Sequence, residues 1–266
     1  MKRYLGCCFL FACFVAAQVS APNVGSARFA GGRVFAVHGI PANLLVAQAP
    51  WIAADAVSFS DAGGLLSRNG TLTLVGPDGT SFAAYASGEP APVLNIDGLL
   101  SSAIAWLPSK HALLHWSGAA FLLREVNDSG FAGKVTCIQL TSPQVARLLV
   151  THSDTSVSAI TISVDTGEII SSDVVPAAHG FTFAQGPLLL SEDPHGLAVE
   201  STSGVRRSVT LSQDPLPDGD LTLERMSTDW LHIASASTGR HWALYLTSES
   251  LRLSLLPVPP ANEAAQ

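Results

Sequence analysis

The chain reads as an all-β protein, a β-propeller of five to six four-stranded blades. Three observations lead there. Short apolar runs alternate with turn residues along the chain, tight turns recur at a spacing near forty residues, and no stretch beyond the N-terminus carries a helical period. The 266 residues are 47% hydrophobic and 13% charged, about half the usual ~25% charged fraction, so core-forming material is ample. Fourteen basic against 21 acidic residues leave a net charge of −7. After residue 3 the longest basic run is Arg206-Arg207, which argues against nucleic acid or an anionic membrane surface as partner.

The clearest unit spans Leu221 to Leu256. It holds four apolar runs, Leu221–Met226, Trp230–Ala234, His241–Leu246 and Leu251–Leu255. In the last, Leu251, Leu253 and Leu255 alternate with Arg252 and Ser254, the period of a strand with one buried face. Four strands in about 36 residues is the size of a propeller blade.

The same pattern fits earlier parts of the chain. Tight turns that would join the third and fourth strands of a blade stand at Pro77-Asp78-Gly79, Ser117-Gly118, Asp165-Thr166-Gly167, Thr202-Ser203-Gly204 and Thr247-Ser248-Glu249. From Gly79 through Gly118, Gly167 and Gly204 to Glu249 the intervals are 39, 49, 37 and 45 residues, the scatter of unequal loops on one scaffold. A sixth turn near Gly39 lies between Arg33–His38 and Asn43–Gln48. Innermost strands are expected at Ala56–Phe59, Val93–Ile96, Val135–Leu140, Phe181–Ala184 and Leu221–Met226. Second strands include Ile104–Leu107, Arg147–Thr151, Leu188–Leu190 and Trp230–Ala234. Third strands are Thr71–Val75, His111–Trp116, Ala159–Val164, Leu197–Ser201 and His241–Leu246; fourth strands are Ser81–Ala86, Phe121–Val126, Ile169–Val174, Val205–Leu211 and Leu251–Leu255. This makes five units and an N-terminal remnant. Residues 27 to 48 are expected to close the ring by pairing strands of one terminus with strands of the other. The competing architecture is a β-sandwich, which has no reason to repeat its turns near forty residues.

Lys2 and Arg3, the apolar stretch Tyr4 to Ala17 and the small residues around it read as a signal peptide over 1–17, cut after Ala17. About 14 apolar residues fall short of the ~20 that span a bilayer. The expected domain runs from 27 to 258, followed by a disordered tail over 259–266 behind Pro257 and Pro259. Cys7, Cys8 and Cys13 would leave with the signal, so only Cys137 remains and no internal disulfide can form. Its setting in Val135-Thr136-Cys137-Ile138 is that of a buried small hydrophobe.

The repeated units resemble those of WD-repeat and related propeller families, and the weakly patterned, Ala-rich blades behind an export signal are similar to bacterial envelope propellers. The resemblance is architectural: the Gly-His and Trp-Asp pairs that mark a WD unit are missing, and Asp229-Trp230 has the reverse order. It implies a scaffold that binds partners, some relatives being hydrolases, lactonases or lyases.

No catalytic, cofactor-binding or metal-ligating residue is singled out, and no cofactor is implied. His111 and His115 have the spacing of one helical face, but on a strand four residues cover about 13 Å, too far to share a metal. The other histidines, His38, His152, His179, His195, His232 and His241, form no motif. In Asp214 to Arg225 a calcium loop would need ligands where Leu216 and Arg225 stand, so a turn is the better reading, as it is for Asp193-Pro194-His195-Gly196. Trp106, Trp116, Trp230 and Trp242 fall at equivalent positions of two units and read as packing between blades. Asn69-Gly70-Thr71 and Asn127-Asp128-Ser129 match a glycosylation acceptor in turn contexts that favour Asn anyway. No nucleophile elbow, zinc helix or phosphate loop is found. The expected function is an exported, secreted or periplasmic, non-enzymatic scaffold, monomeric, binding another envelope or extracellular protein or a ligand. The alternative is a small-molecule hydrolase or lyase whose site, in the central funnel, would draw at least three ionisable groups from different blades.

Overall fold

The computed structural model describes residues 21–49, 53–127, 132–211, 217 and 219–259. The expected signal peptide over 1–17 with its cut after Ala17, most of the expected disordered tail, Trp51, Asp214 and Asp218 lie outside the described residues.

Twenty-three strands are arranged as six antiparallel sheets, each built from consecutive strands. Blade 1 contains β1 (Asn23–Arg28), β2 (Val34–Ile40) and β3 (Asn43–Gln48). Blade 2 follows with β4 (Ala56–Ser60), β5 (Gly63–Arg68), β6 (Thr71–Val75) and β7 (Ser81–Ala86). Blade 3 has β8 (Val93–Asn95), β9 (Ile104–Leu107), β10 (Ala112–Trp116) and β11 (Phe121–Glu125). Blade 4 has β12 (Lys134–Ser142), β13 (Val145–Thr151), β14 (Ser156–Ser163) and β15 (Ile169–His179). Blade 5 has β16 (Thr182–Gln185), β17 (Leu188–Asp193), β18 (Gly196–Ser201) and β19 (Arg206–Thr210). Blade 6 has β20 (Leu221–Arg225), β21 (Trp230–Ser235), β22 (His241–Leu246) and β23 (Leu251–Leu255). The fold is a six-bladed β-propeller, and the sandwich alternative falls because six sheets rather than two share the core. Five of the six have four strands.

The turns that set the repeat adopt the backbone that glycine permits: Gly79, Gly118, Gly167 and Gly204 have φ of 85°, 90°, 77° and 79°, so a β-carbon there would be strained. Two strands were not marked by the sequence pattern, β1 and β5. Each carries glycine (Gly25; Gly63 and Gly64), which thins the run of large apolar side chains on which strand recognition rests.

Blade 1 corrects the expectation about ring closure. Among the described residues each of the six sheets is built from consecutive strands, so no ladder there pairs strands of the two termini. The direction of β1 explains its place. Ser227 Oγ donates to the Val24 carbonyl, Ser26 N to the Met226 carbonyl, and Arg28 to Glu224, so β1 runs antiparallel to β20. Successive strands of a blade alternate in direction, and a strand opposed to its neighbour's innermost one occupies the second position. Consistently, β1 rests on β4 as β5 rests on β8 and β13 on β16. Among its described residues, then, blade 1 supplies the second to fourth strands of the repeat, and β20 meets β4 directly at the axis. Closure is by packing, through Val24, Phe29, Phe35 and Val37 of blade 1 against Met226, Ala243 and Leu256. Gly25 makes the approach possible: with φ 138°, a β-carbon there would stand 2.3 Å from the Met226 carbonyl oxygen.

Candidate functional site

Two places gather polar side chains from more than one blade. The first is the end of the axis at which the inner strands terminate. Asp61 and Asp97 follow β4 and β8, Gln185 ends β16, Arg225 ends β20, and Thr228 lies in the turn after it. Arg225 Nη1 donates to Asp97 Oδ1 at 3.0 Å. Among the described inner strands β4 alone stands between β20 and β8, touching both, so this ion pair reaches past blade 2 across the opening. Thr228 Oγ1 donates to Asp61 Oδ2 at 2.7 Å, and Gln185 Nε2 donates to the Thr228 carbonyl at 2.8 Å. Four blades are thereby linked across one opening.

The network leaves capacity over. Asn95 Nδ2 and Oδ1, Gln185 Oε1 and Arg225 Nε are buried and find no partner among the described residues. A buried amide without a hydrogen bond costs roughly 1–3 kcal/mol, and most such groups in folded proteins are satisfied. Asp97 remains half exposed at the rim, while the Arg225 side chain is only 2% exposed.

The second place is the seam between blades 6 and 1. Glu224 on β20 lies directly opposite His232 on β21, and His232 is the diagonal neighbour of His241 on β22, because Ala234 pairs with His241 and His232 with Ala243. Arg28 Nη2 approaches Glu224 Oε1 at 2.7 Å, and His232 Nδ1 stands 3.7 Å from Glu224 Oε2. His232 Nε2 and His241 Nδ1 share a hydrogen bond of 2.9 Å, with their rings 5.1 Å apart and nearly parallel. The Phe29 ring covers both imidazoles, at 4.6 Å from His241 and 5.5 Å from His232. Burial, the neighbouring His232 and the Arg28 charge together push the His241 imidazole down to about 4, so at neutral pH it is uncharged.

Histidines 232 and 241 thus form a pair that scanning for motifs does not reveal. The signal lies in the register of the hairpin and not in any spacing, since nine residues separate them across a turn. The other residues weighed from sequence stay apart. His111 takes a left-handed cap with φ 46° just ahead of β10, while His115 lies within it. Asp193 Oδ1 accepts from His195 N, as its turn requires. Asp220 serves the β21–β22 turn, accepting from Ser235 Oγ and Ser237 N. Those bonds outweigh burial and lower its carboxyl below the usual value. Burial pushes the Cys137 thiol up to about 11, and its sulfur accepts from Ala184 N at 3.3 Å, which leaves it a core residue. Trp106 and Trp242 are buried; Trp116 meets the Phe121 ring edge-on at 5.1 Å and Trp230 lies tilted to the Tyr245 ring at 5.0 Å, each pair within one blade. Among the described residues, no group of three or more His, Cys, Asp or Glu is placed to hold a metal ion, and no helix is long and apolar enough to cross a membrane.

The chain matches no protein-family model, and no curated protein resembles it in sequence. Solved structures do resemble it. The Aleuria aurantia lectin, a six-bladed β-propeller seen in complex with α-methyl-L-fucoside, is 10% identical over 90% of this chain and 91% of its own, with a TM-score of 0.50. A protein of unknown function from Bacteroides caccae is 15% identical over 89% of this chain and 94% of its own, also at 0.50. BamB from Moraxella catarrhalis is 13% identical over 91% and 92%, at 0.39. At these identities the likeness is one of fold, and it agrees with the propeller read from the hairpin repeat.

Proposed function

We propose that this chain is an exported, non-enzymatic scaffold that engages its partner at the end of the axis where the inner strands terminate. The observation that carries the reading is the polar network that joins four blades at one opening, with the Asp61 and Asp97 carboxylates exposed at its rim. Carboxylates accept hydrogen bonds, so the partner presents backbone amides or hydroxyls, as a loop of another envelope or extracellular protein does. A funnel hydrolase or lyase would draw at least three ionisable groups from different blades, and Asp61, Asp97 and Arg225 do come from three; Asp61, however, is bonded to Thr228 and the other two pair with each other, which favours the scaffold. Export rests on the basic and apolar sequence up to Ala17.

The test places a photo-crosslinking residue at Asp61, which is exposed beside the opening, in the cell that makes the protein. One discrete adduct is expected, lost in Asp97→Ala, whose side chain is 45% exposed at the rim, and the mature chain is expected to begin at Gln18 by N-terminal sequencing. Turnover of an ester or lactone panel that disappears in Arg225→Met would replace this reading with the enzymatic one.

A further inference from the structure

On the face of blade 6 opposite the axial network, the loop joining β1 to β2 and the turn joining β21 to β22 enclose a cavity of about 390 Å³. One wall is apolar, formed by Phe29, Leu255, Leu256 and Val258. The other carries Arg33, Arg240 and His241. Neither guanidinium has a carboxylate partner among the described residues. Arg33 is held over the Phe35 ring with its Cζ 5.4 Å from the centroid, and His241 is anchored from behind by His232.

We propose that this cavity binds a small organic carboxylate, with its charged end between Arg33 and Arg240 and its apolar body against Phe29, Leu255 and Leu256. The chemistry follows from the two walls. Two unpaired guanidinium forks beside one cavity match the planar, bidentate geometry of a carboxylate. The adjoining aliphatic and aromatic surface gives a hydrocarbon or aryl body a place to leave water. The volume suits a body of six to ten carbons, at roughly 30 Å³ per water-sized unit. The site is separate from the axial opening, and the two readings stand or fall independently.

The test is a ligand-observed NMR titration of the full chain with hexanoate and benzoate, against hexanamide and benzamide. The acids are expected to bind saturably with Kd on the order of 1 mM, as ligands of this size allow, and the amides about tenfold more weakly. Arg33→Gln and Arg240→Gln each weaken acid binding about tenfold, the worth of a charged hydrogen bond, while Arg33→Lys, which keeps the charge but not the planar fork, weakens it by less. Both arginines lie at the surface or half buried, and unchanged thermal midpoints verify that the variants fold. Equal binding of acids and amides overturns the proposal, as does acid binding that survives in the Arg33→Gln/Arg240→Gln double variant, or no saturable binding of either acid.

Discussion

Blade 6 packs on a neighbour through each of its faces, and the two faces solve the same problem differently. Toward blade 5 it presents Leu221, Leu223, Leu231, Ile233, Leu244 and Leu246, which merge with Leu188, Leu190, Leu197 and Val199 into one aliphatic cluster. Toward blade 1 the alternate residues are Glu224, His232 and His241, met by Arg28 and Phe29. Aliphatic contact is indifferent to small rotations, whereas a line of ion pair and imidazole bonds is satisfied in one register alone. At the second seam the apolar cluster of Val24, Phe29, Phe35 and Val37 with Met226, Ala243 and Leu256 supplies the contact area, and the polar line beside it supplies the register. Buried charges have fixed register in other systems at some cost in stability.

The largest effect expected from breaking this contrast comes at the polar seam. Glu224→Ala leaves Arg28 and His232 facing an empty carboxylate position, and should destabilise by about 3–5 kcal/mol in urea unfolding; a loss below about 1 kcal/mol would show that the line is not a fixed element. On the aliphatic face, Leu244→Ala removes a fully buried side chain and should lower stability by roughly 2–4 kcal/mol. Replacing the line as a whole, with Arg28→Met, Glu224→Met and His232→Leu together, sharpens the contrast: stability should stay level or rise, while the ring becomes less uniquely ordered, read as broadened NMR resonances of blades 1 and 6. At the axis, Asp97→Asn keeps an oxygen for Arg225 Nη1 but removes the countercharge of a guanidinium only 2% exposed, and should cost roughly 1–3 kcal/mol in the same unfolding experiment.

A smaller, pH-dependent effect belongs to His241. Its folded value lies at about 4, below the ordinary histidine value of 6.5. The unfolded chain therefore binds the extra proton first, and stability is full above pH 6.5 and falls as the pH drops from there toward 4. Unfolding at pH 7 and pH 5 should differ in this direction, and His241→Asn should flatten the difference; an unchanged slope in that variant would assign it elsewhere.

Much of this was readable in the residues themselves. Alternation such as Leu251, Leu253, Leu255, together with glycine turns about forty residues apart, marks strands and their grouping because the two-residue period and left-handed turn backbone are local properties. The positions of β6, β7, β9, β22 and β23 match their expected bounds to the residue. Neither polar site could be seen this way. Glu224, His232 and His241 look in sequence like the solvent face of a sheet, and they become a buried line only because blade 1 folds over them. Asp97 and Arg225 are 128 residues apart and meet only when the ring closes.

The sequence by itself determined that the chain makes strands, where the hairpins fall and that they repeat as blades, since these follow from side-chain period and turn chemistry within about ten residues. Tertiary structure alone decided the number of blades, the incomplete first blade and the two sites, because each depends on which faces and strand ends are brought together around the axis, and no local pattern encodes that distance.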